Sequence, residues 1–201
     1  MAVVGLKGGA GKSTLSANLA GVFAESGHSV TLLDMDPQAS IGGLVRGSDR
    51  ISVLGYGAQA ELHAQQGDIT EWLAAQLPAD GLAILDTPPT LSRIARAAIS
   101  VATRVIAPTR LGQQDLDALL STMEMAPGAL IIINGMTRAR LHRDSVAALR
   151  AHFGRAVASQ EIAQSITIEE AMAAGLPVVA YRKKSALAGA FRALGGEILH
   201  G

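Results

Sequence analysis

The sequence predicts an α/β chain: one doubly wound, mostly parallel sheet with helices on both faces. Three observations carry this expectation. Short apolar runs alternate with amphipathic stretches along all 201 residues. A glycine-rich loop, Lys7-Gly8-Gly9-Ala10-Gly11-Lys12-Ser13-Thr14, joins the first apolar run to the first helical stretch. Three later apolar runs end on a polar side chain, Asp34, Asp86 or Asn134, as expected where strands deliver residues to a site beyond their carboxyl ends.

The elements follow in order. Ala2-Val3-Val4 is a short strand. Leu15, Leu19, Val22 and Phe23 form one helical stripe from near Thr14, with Gly27 as its stop. Ser29 to Leu33 reads as the second strand and closes a βαβ unit, whose crossover is expected to be right-handed. From Ala39 to Asp80 the pattern is weaker. Gly42-Gly43 and Gly47 read as loop, Ile51 to Leu54 as a short strand, and Asp68 to Leu77 as a helix carrying Trp72 towards the core. Leu82 to Leu85 is a buried strand, Ile94 to Val101 a helix, and Arg104 to Pro108 a strand stopped by proline. Asp115 to Met125 is helical, Leu130 to Asn134 is the most apolar strand, and Arg143 to Phe153 is helical. Val157-Ala158 starts a short strand, Ile168 to Ala174 is a helix closed by Gly175, and Pro177 to Ala180 is extended. Ala186 to Leu199 is the last helix, weakened by Gly189, Gly195 and Gly196. No repeat or linker divides residues 1–201, so the chain is read as a single domain.

Composition excludes several classes. With no cysteine there are no disulfides, thiolate metal sites or iron–sulfur clusters, which fits a cytoplasmic setting. No apolar run approaches the roughly 20 residues of a membrane-spanning helix, and the immediate strand and glycine loop leave no room for a signal peptide. His28, His63, His142, His152 and His200 lack metal-ligand spacing. The formal net charge is zero, yet from Asn134 onward nine arginines and lysines face five acids. Arg138, Arg140, Arg143, Arg182, Lys183, Lys184 and Arg192 are therefore candidate contacts to a polyanion, if they share one surface.

The glycine loop carries the chemistry. Glycines so dense signal a backbone approached closely by another group. A lysine and a hydroxyl directly after them identify that group as phosphate. Amides of Gly8, Gly9, Ala10, Gly11 and Thr14 would cradle it at a helix N-terminus, Lys12 would reach the terminal phosphates, and Ser13 would ligate Mg²⁺. Leu6 stands where the usual motif has glycine, and Lys7 adds a second lysine. Asp86, after four apolar residues, fits an acid that holds Mg²⁺ through water. Asp34 and Asp36 stand two residues apart at a strand end, and one is expected to address the metal and the other the attacking water.

Lys7 to Ser13 resembles the deviant Walker A motif of the ParA/MinD family of P-loop ATPases. Asp34-Met35-Asp36-Pro37-Gln38 resembles that family's A′ motif, Leu85 to Pro89 its Walker B and switch II segment, and Gly175-Leu176-Pro177-Val178 the stretch beside the adenine. The resemblance implies an ATP hydrolase of slow intrinsic turnover using ATP and Mg²⁺. Lys7 would act across an ATP-bound homodimer, Asp36 would orient the attacking water, and Asn134, Pro177 and Val178 would frame the base. It further implies short ParA-type behaviour: a nucleoid-associated ATPase that binds nonspecific DNA and positions a plasmid, chromosome or protein organelle such as a carboxysome. A ParB-like or other cargo adaptor would stimulate hydrolysis. The C-terminal run from Phe191 is a poor membrane anchor, and no DNA-reading segment precedes the loop, so neither a membrane partner nor an autorepressor form is expected. A MinD-like membrane-cycling ATPase is the alternative, and a metabolic enzyme on the same nucleotide fold a further one.

Overall fold

A computed structural model describes residues 1–37, 41, 43–45, 48–90 and 92–201. Gln38 of the A′ motif and the loop glycines Gly42 and Gly47 lie outside the described residues. The strands are β1 (Ala2–Val3), β2 (Val30–Asp34), β3 (Ile51–Gly55), β4 (Leu82–Asp86), β5 (Val105–Thr109), β6 (Leu130–Met136) and β7 (Ile162–Ala163). They form one sheet in the order β3-β2-β4-β1-β5-β6-β7, and every described pairing is parallel. The helices are α1 (Lys12–Glu25), α2 (Gly57–Gln66), α3 (Ile69–Gln76), α4 (Arg93–Val101), α5 (Gln113–Met125), α6 (Arg140–Phe153), α7 (Ile166–Ala173), α8 (Val178–Tyr181) and α9 (Ala186–His200).

Alternation along the strands divides the core into two layers. Val3, Leu32, Ile84, Ile106 and Ile132 face α1, α8 and α9, where Phe23, Phe191 and Leu194 complete the cluster. Ala2, Val4, Leu33 and Leu85 face the opposite side and pack with Ile69, Leu73 and Ile94. Ala107, Ile131 and Ile133 continue that side against α5 and α6. Burying a side chain of the size of Phe23 or Leu32 contributes roughly 1.5–3 kcal/mol each, which is what holds both helix layers on the sheet. The strand order turns at β1, between β4 and β5, so the loop after β1 lies at the switch point where such sheets bind ligands.

Four expectations need correction. Helix α2 has no signature in the apolar pattern, because only Gly57 and Ala60 of it are buried. Pro108 does not stop β5; it lies inside the strand, paired with Ile132. The adjacent β1 ends at Val3, and its last ladder bond runs from the Val4 amide to the Ile106 carbonyl. The N–H that proline lacks is therefore not needed there. Val157 makes only a single bridge to Ile131, and the seventh strand forms later, at Ile162–Ala163. The segment after Pro177 is a one-turn helix, with proline at its start, where a fixed φ suits helix entry.

Candidate nucleotide-binding site

The loop between β1 and α1 requires its glycines. Gly9 and Gly11 have φ of 80° and 90°, a region costly for other residues. A Cβ on Gly11 would collide with Asn134 Nδ2. That amide donates to the Ala10 carbonyl at 3.0 Å, so Asn134 at the end of β6 braces the loop. Open space lies where side chains on Gly8 and Gly9 would be, leaving the amides approachable. Gly11 is the N-cap of α1 and offers no side chain to the free amides of the first turn, which remain for an anion.

Lys12 is 7% exposed. Its Nζ donates to the Lys7 carbonyl at 3.3 Å. Burial holds its pKa below the ordinary lysine value, while Asp86 and Asp36 act to raise it. Asp86 is buried at the end of β4 and receives two hydroxyl bonds, from Ser13 Oγ to Oδ2 at 2.7 Å and from Ser16 Oγ to Oδ1 at 3.0 Å. Ser16 is a site residue missed in the sequence; its place one helical turn after Ser13 was the available signal. Desolvation pushes the Asp86 carboxyl up to about 6, against the two serine bonds, with Asp34 adding to the rise and Lys12 opposing it. A desolvated carboxylate beside a hydroxyl at a phosphate loop suits a hard divalent cation, so Ser13 and Asp86 fit Mg²⁺.

This environment predicts a pH dependence. Between the unfolded carboxyl value of 3.8 and about 6, the folded state binds the Asp86 proton more tightly than the unfolded chain does. Stability of the nucleotide-free, metal-free protein therefore falls as pH rises through that window, by about 2 kcal/mol from this group between pH 4.5 and 7. Urea midpoints at pH 4.5 and 7 measure it, and Asp86→Asn is expected to remove this part of the difference.

Asp34 lies in the same site, in register with Asp86. Its Oδ1 accepts the Asp36 amide and its Oδ2 the Ile41 amide, both at 3.1 Å. Burial pushes its pKa up and those two bonds oppose the rise. Both oxygens thus accept backbone amides of residues that follow β2, a role additional to the one expected from the sequence. Asp36 is half-buried and lines a cleft of about 760 Å³ with Pro37, Glu61, Pro88, Pro89 and Arg93. Among the described residues, no group of three or more histidines and acids is spaced to hold a metal on its own.

Lys7 faces elsewhere. Its Nζ pairs with Asp115 Oδ1, in the first turn of α5, at 2.8 Å. The base-framing expectation changes as well. Pro177 and Val178 are buried against α1: a Cβ on Gly21 would stand 2.5 Å from the proline ring, and the Val178 amide donates to Asn18 Oδ1 at 2.7 Å. They brace α1 instead of presenting a surface beside the loop.

The seven basic candidates divide into two groups. Arg138, Arg140 and Arg143 lie just beyond the C-terminal end of β6, around the start of α6. Arg192 donates from Nε and Nη2 to Glu25, the last residue of α1, at 2.6 and 2.9 Å, and from Nη1 to the Lys183 carbonyl. That places Arg182, Lys183, Lys184 and Arg192 at the opposite end of the sheet, with Arg182 also near Glu170 at 3.5 Å. A single continuous surface of all seven is not what the fold builds.

Residues 1–178 match the sequence profile described as the CobQ/CobB/MinD/ParA nucleotide binding domain. The chain is 28% identical over 248 residues to the chromosome-partitioning ATPase Soj of Thermus thermophilus, covering 99% of this chain and 94% of Soj. It is 25% identical over 249 residues to the chromosome partitioning protein ParA of Caulobacter vibrioides, covering 99% and 93%. It superposes on apo McdA from Cyanothece with a TM-score of 0.79 at 17% identity, over 98% of each chain. Against the Mg-ADP complex of the septum site-determining protein MinD from Pyrococcus horikoshii the TM-score is 0.76 at 20% identity, over 98% of this chain and 94% of that one. At such identities the superpositions bear on the fold alone.

Proposed function

The chain belongs to the CobQ/CobB/MinD/ParA nucleotide-binding family, and from that premise we propose that it is an ATP hydrolase that dimerises on ATP, binds DNA without sequence preference and positions a cargo. The glycine loop and Lys12 hold the phosphates, and Ser13 with Asp86 holds Mg²⁺. The ion supplies positive charge against the phosphate oxygens. Asp36, close enough for its charge to act on Lys12, orients the attacking water.

The observation that carries the dimer is the Lys7–Asp115 pair. Lys7 sits one residue before the phosphate-binding glycines yet is paired away from them, within its own subunit. A second lysine so placed serves phosphates bound by another copy, where charge supplied in trans makes nucleotide state report assembly state. The identities to Soj and ParA support a partition role; an adaptor protein that stimulates hydrolysis and a nucleoid location complete the proposal. The membrane-cycling alternative has less behind it. Phe191, Leu194 and Ile198 of α9 are buried in the core, so that helix keeps no broad apolar face for lipid. No helix among the described residues is long and apolar enough to cross a membrane.

Pelleting with plasmid DNA, in ATP against ADP over a salt series, tests the reading. Retention is expected in ATP only, falling steeply with salt. Arg182 and Arg192 are partly offset by Glu170 and Glu25, so Lys183 and Lys184 should supply most of the charge that meets DNA at that end. Lys183→Gln with Lys184→Gln is expected to lower the salt slope by about one for each phosphate no longer neutralised. The same drop from Arg138→Gln with Arg143→Gln would instead assign the DNA face to the start of α6. No ATP-dependent retention at low salt would sink the DNA-bound role.

A further inference from the structure

We propose that Asp34 is the positioning residue for Asp36: its carboxylate holds the Asp36 amide, and with it the main chain that presents Asp36 to the cleft. The proposal rests on reading the site as hydrolytic, and it gives Asp34 a role in turnover in place of a role in metal binding.

Asp34 is the last residue of β2, in the interior of the sheet, in register with Gly55 of β3 on one side and Asp86 of β4 on the other. Its backbone is fixed there, since its carbonyl accepts the Tyr56 amide at 2.7 Å. Only 2% of the residue is exposed. A carboxylate placed on such a rigid base can act as a fixed double acceptor, and it does. Oδ1 takes the amide of Asp36 and Oδ2 takes the amide of Ile41, each at 3.1 Å. The two bonds grip the loop at its outgoing and returning ends. Ile41 is itself anchored, fully buried in the α1-side core with Leu44 and Val45 packed near it.

The other side of Asp36 is closed too. A Cβ on Gly57, the first residue of α2, would stand 2.7 Å from both the Asp36 carbonyl oxygen and the Pro37 Cα. The main chain at Asp36 thus lies between the Asp34 carboxylate and the start of α2. Pro37 stiffens the next link by fixing φ. These neighbours hold the main chain from which the Asp36 carboxyl extends. A water-orienting group displaced by about 1 Å loses on the order of a hundredfold in rate, so the grip bears directly on turnover.

A metal ligand and a positioning residue separate cleanly in kinetics. Asp34→Ala is expected to lower ATP turnover by about ten- to a hundredfold, with half-saturating ATP and Mg²⁺ within about threefold of the parent. Asp34→Asn, which keeps one acceptor oxygen but sets an NH₂ against the other amide, should fall between the two. In an Asp36→Ala background, Asp34→Ala should add nothing to the loss, because it acts through the residue already removed. A tenfold rise in the Mg²⁺ requirement would make Asp34 a metal ligand and overturn the proposal. Full additivity with Asp36→Ala, or unchanged turnover, would overturn it as well. If the parent chain hydrolyses no ATP, the hydrolytic reading fails on its own. The grip is then read by amide hydrogen exchange, which should speed up at Asp36 and Ile41 in Asp34→Asn while the amides of β4 hold. Unchanged exchange at both positions would refute the grip itself.

Discussion

Lys12→Ala is expected to abolish measurable ATP binding, raising Kd at least about a hundredfold, which corresponds to about 3 kcal/mol. The size follows from the surroundings. Lys12 is buried at the first position of α1, its ammonium held near the loop by the Lys7 carbonyl and facing the fields of Asp86 and Asp36. A charge-assisted bond from such a group to a phosphate oxygen is stronger than one made in water, because little solvent competes. Its removal also leaves Asp86 without the cation that opposes its rise, so an anionic ligand meets an uncompensated acid. Arginine should not rescue it. The lysine stem lies 3.7 Å from where a Cβ on Gly5 would stand, a slot for a narrow chain with a point charge and not for a planar fork. Calorimetric titration with Mg-ATP checks the loss, and ATP-induced thermal stabilisation should vanish with it. Binding within a few-fold of the parent would refute the assignment.

Asp36→Ala is expected to do the reverse: keep nucleotide binding and the ATP dimer, and lower turnover by about a hundred- to ten-thousandfold, the usual worth of a group that handles the reacting water's proton. The structure supports this division of labour. Asp36 lies two residues beyond β2, on the cleft with Pro88, Pro89 and Arg93, whereas the phosphate loop follows β1 and is braced by Asn134. Single-turnover phosphate release, beside size-exclusion chromatography in ATP, separates the two effects. The variant should elute as a dimer that persists. Loss of nucleotide binding instead would make Asp36 part of the fold of the site and not of its chemistry.

Much of the site is legible in the sequence because the informative residues are local. Three glycines between a strand and a helix, with Lys12 and Ser13 behind them, define a phosphate cradle in one short stretch, and each apolar run that ends in an acid marks the same edge of the sheet. What stays hidden is what depends on three-dimensional neighbours. Helix α2 is polar or small around most of its circumference, so no stripe betrays it; it is held by Ala60 and by the stack of His63 on Trp72 at 4.8 Å. The roles of Asp34 and Asp36 cannot be told apart by alternation, since residues two apart on a strand share a face and Asp36 lies beyond the end of β2. Their division comes from two backbone amides, one of them seven residues downstream. Pro177 and Val178 are placed by their motif near the base, yet α1 presents Gly21 as a flat seat and takes them into the core. The basic residues cluster in sequence but not in space, because α6 starts where the strands end and α1 finishes where they begin.

That last geometry has a mechanical meaning. Helix α1 is a single uninterrupted rod whose first residue, Lys12, stands at the phosphate loop and whose last, Glu25, grips Arg192. At 1.5 Å per residue it spans about 20 Å. An α-helix is stiff along its axis, and this one is clamped midway by Asn18 on the Val178 amide. One continuous element thus joins the phosphate loop to the far edge, where Lys183 and Lys184 are exposed.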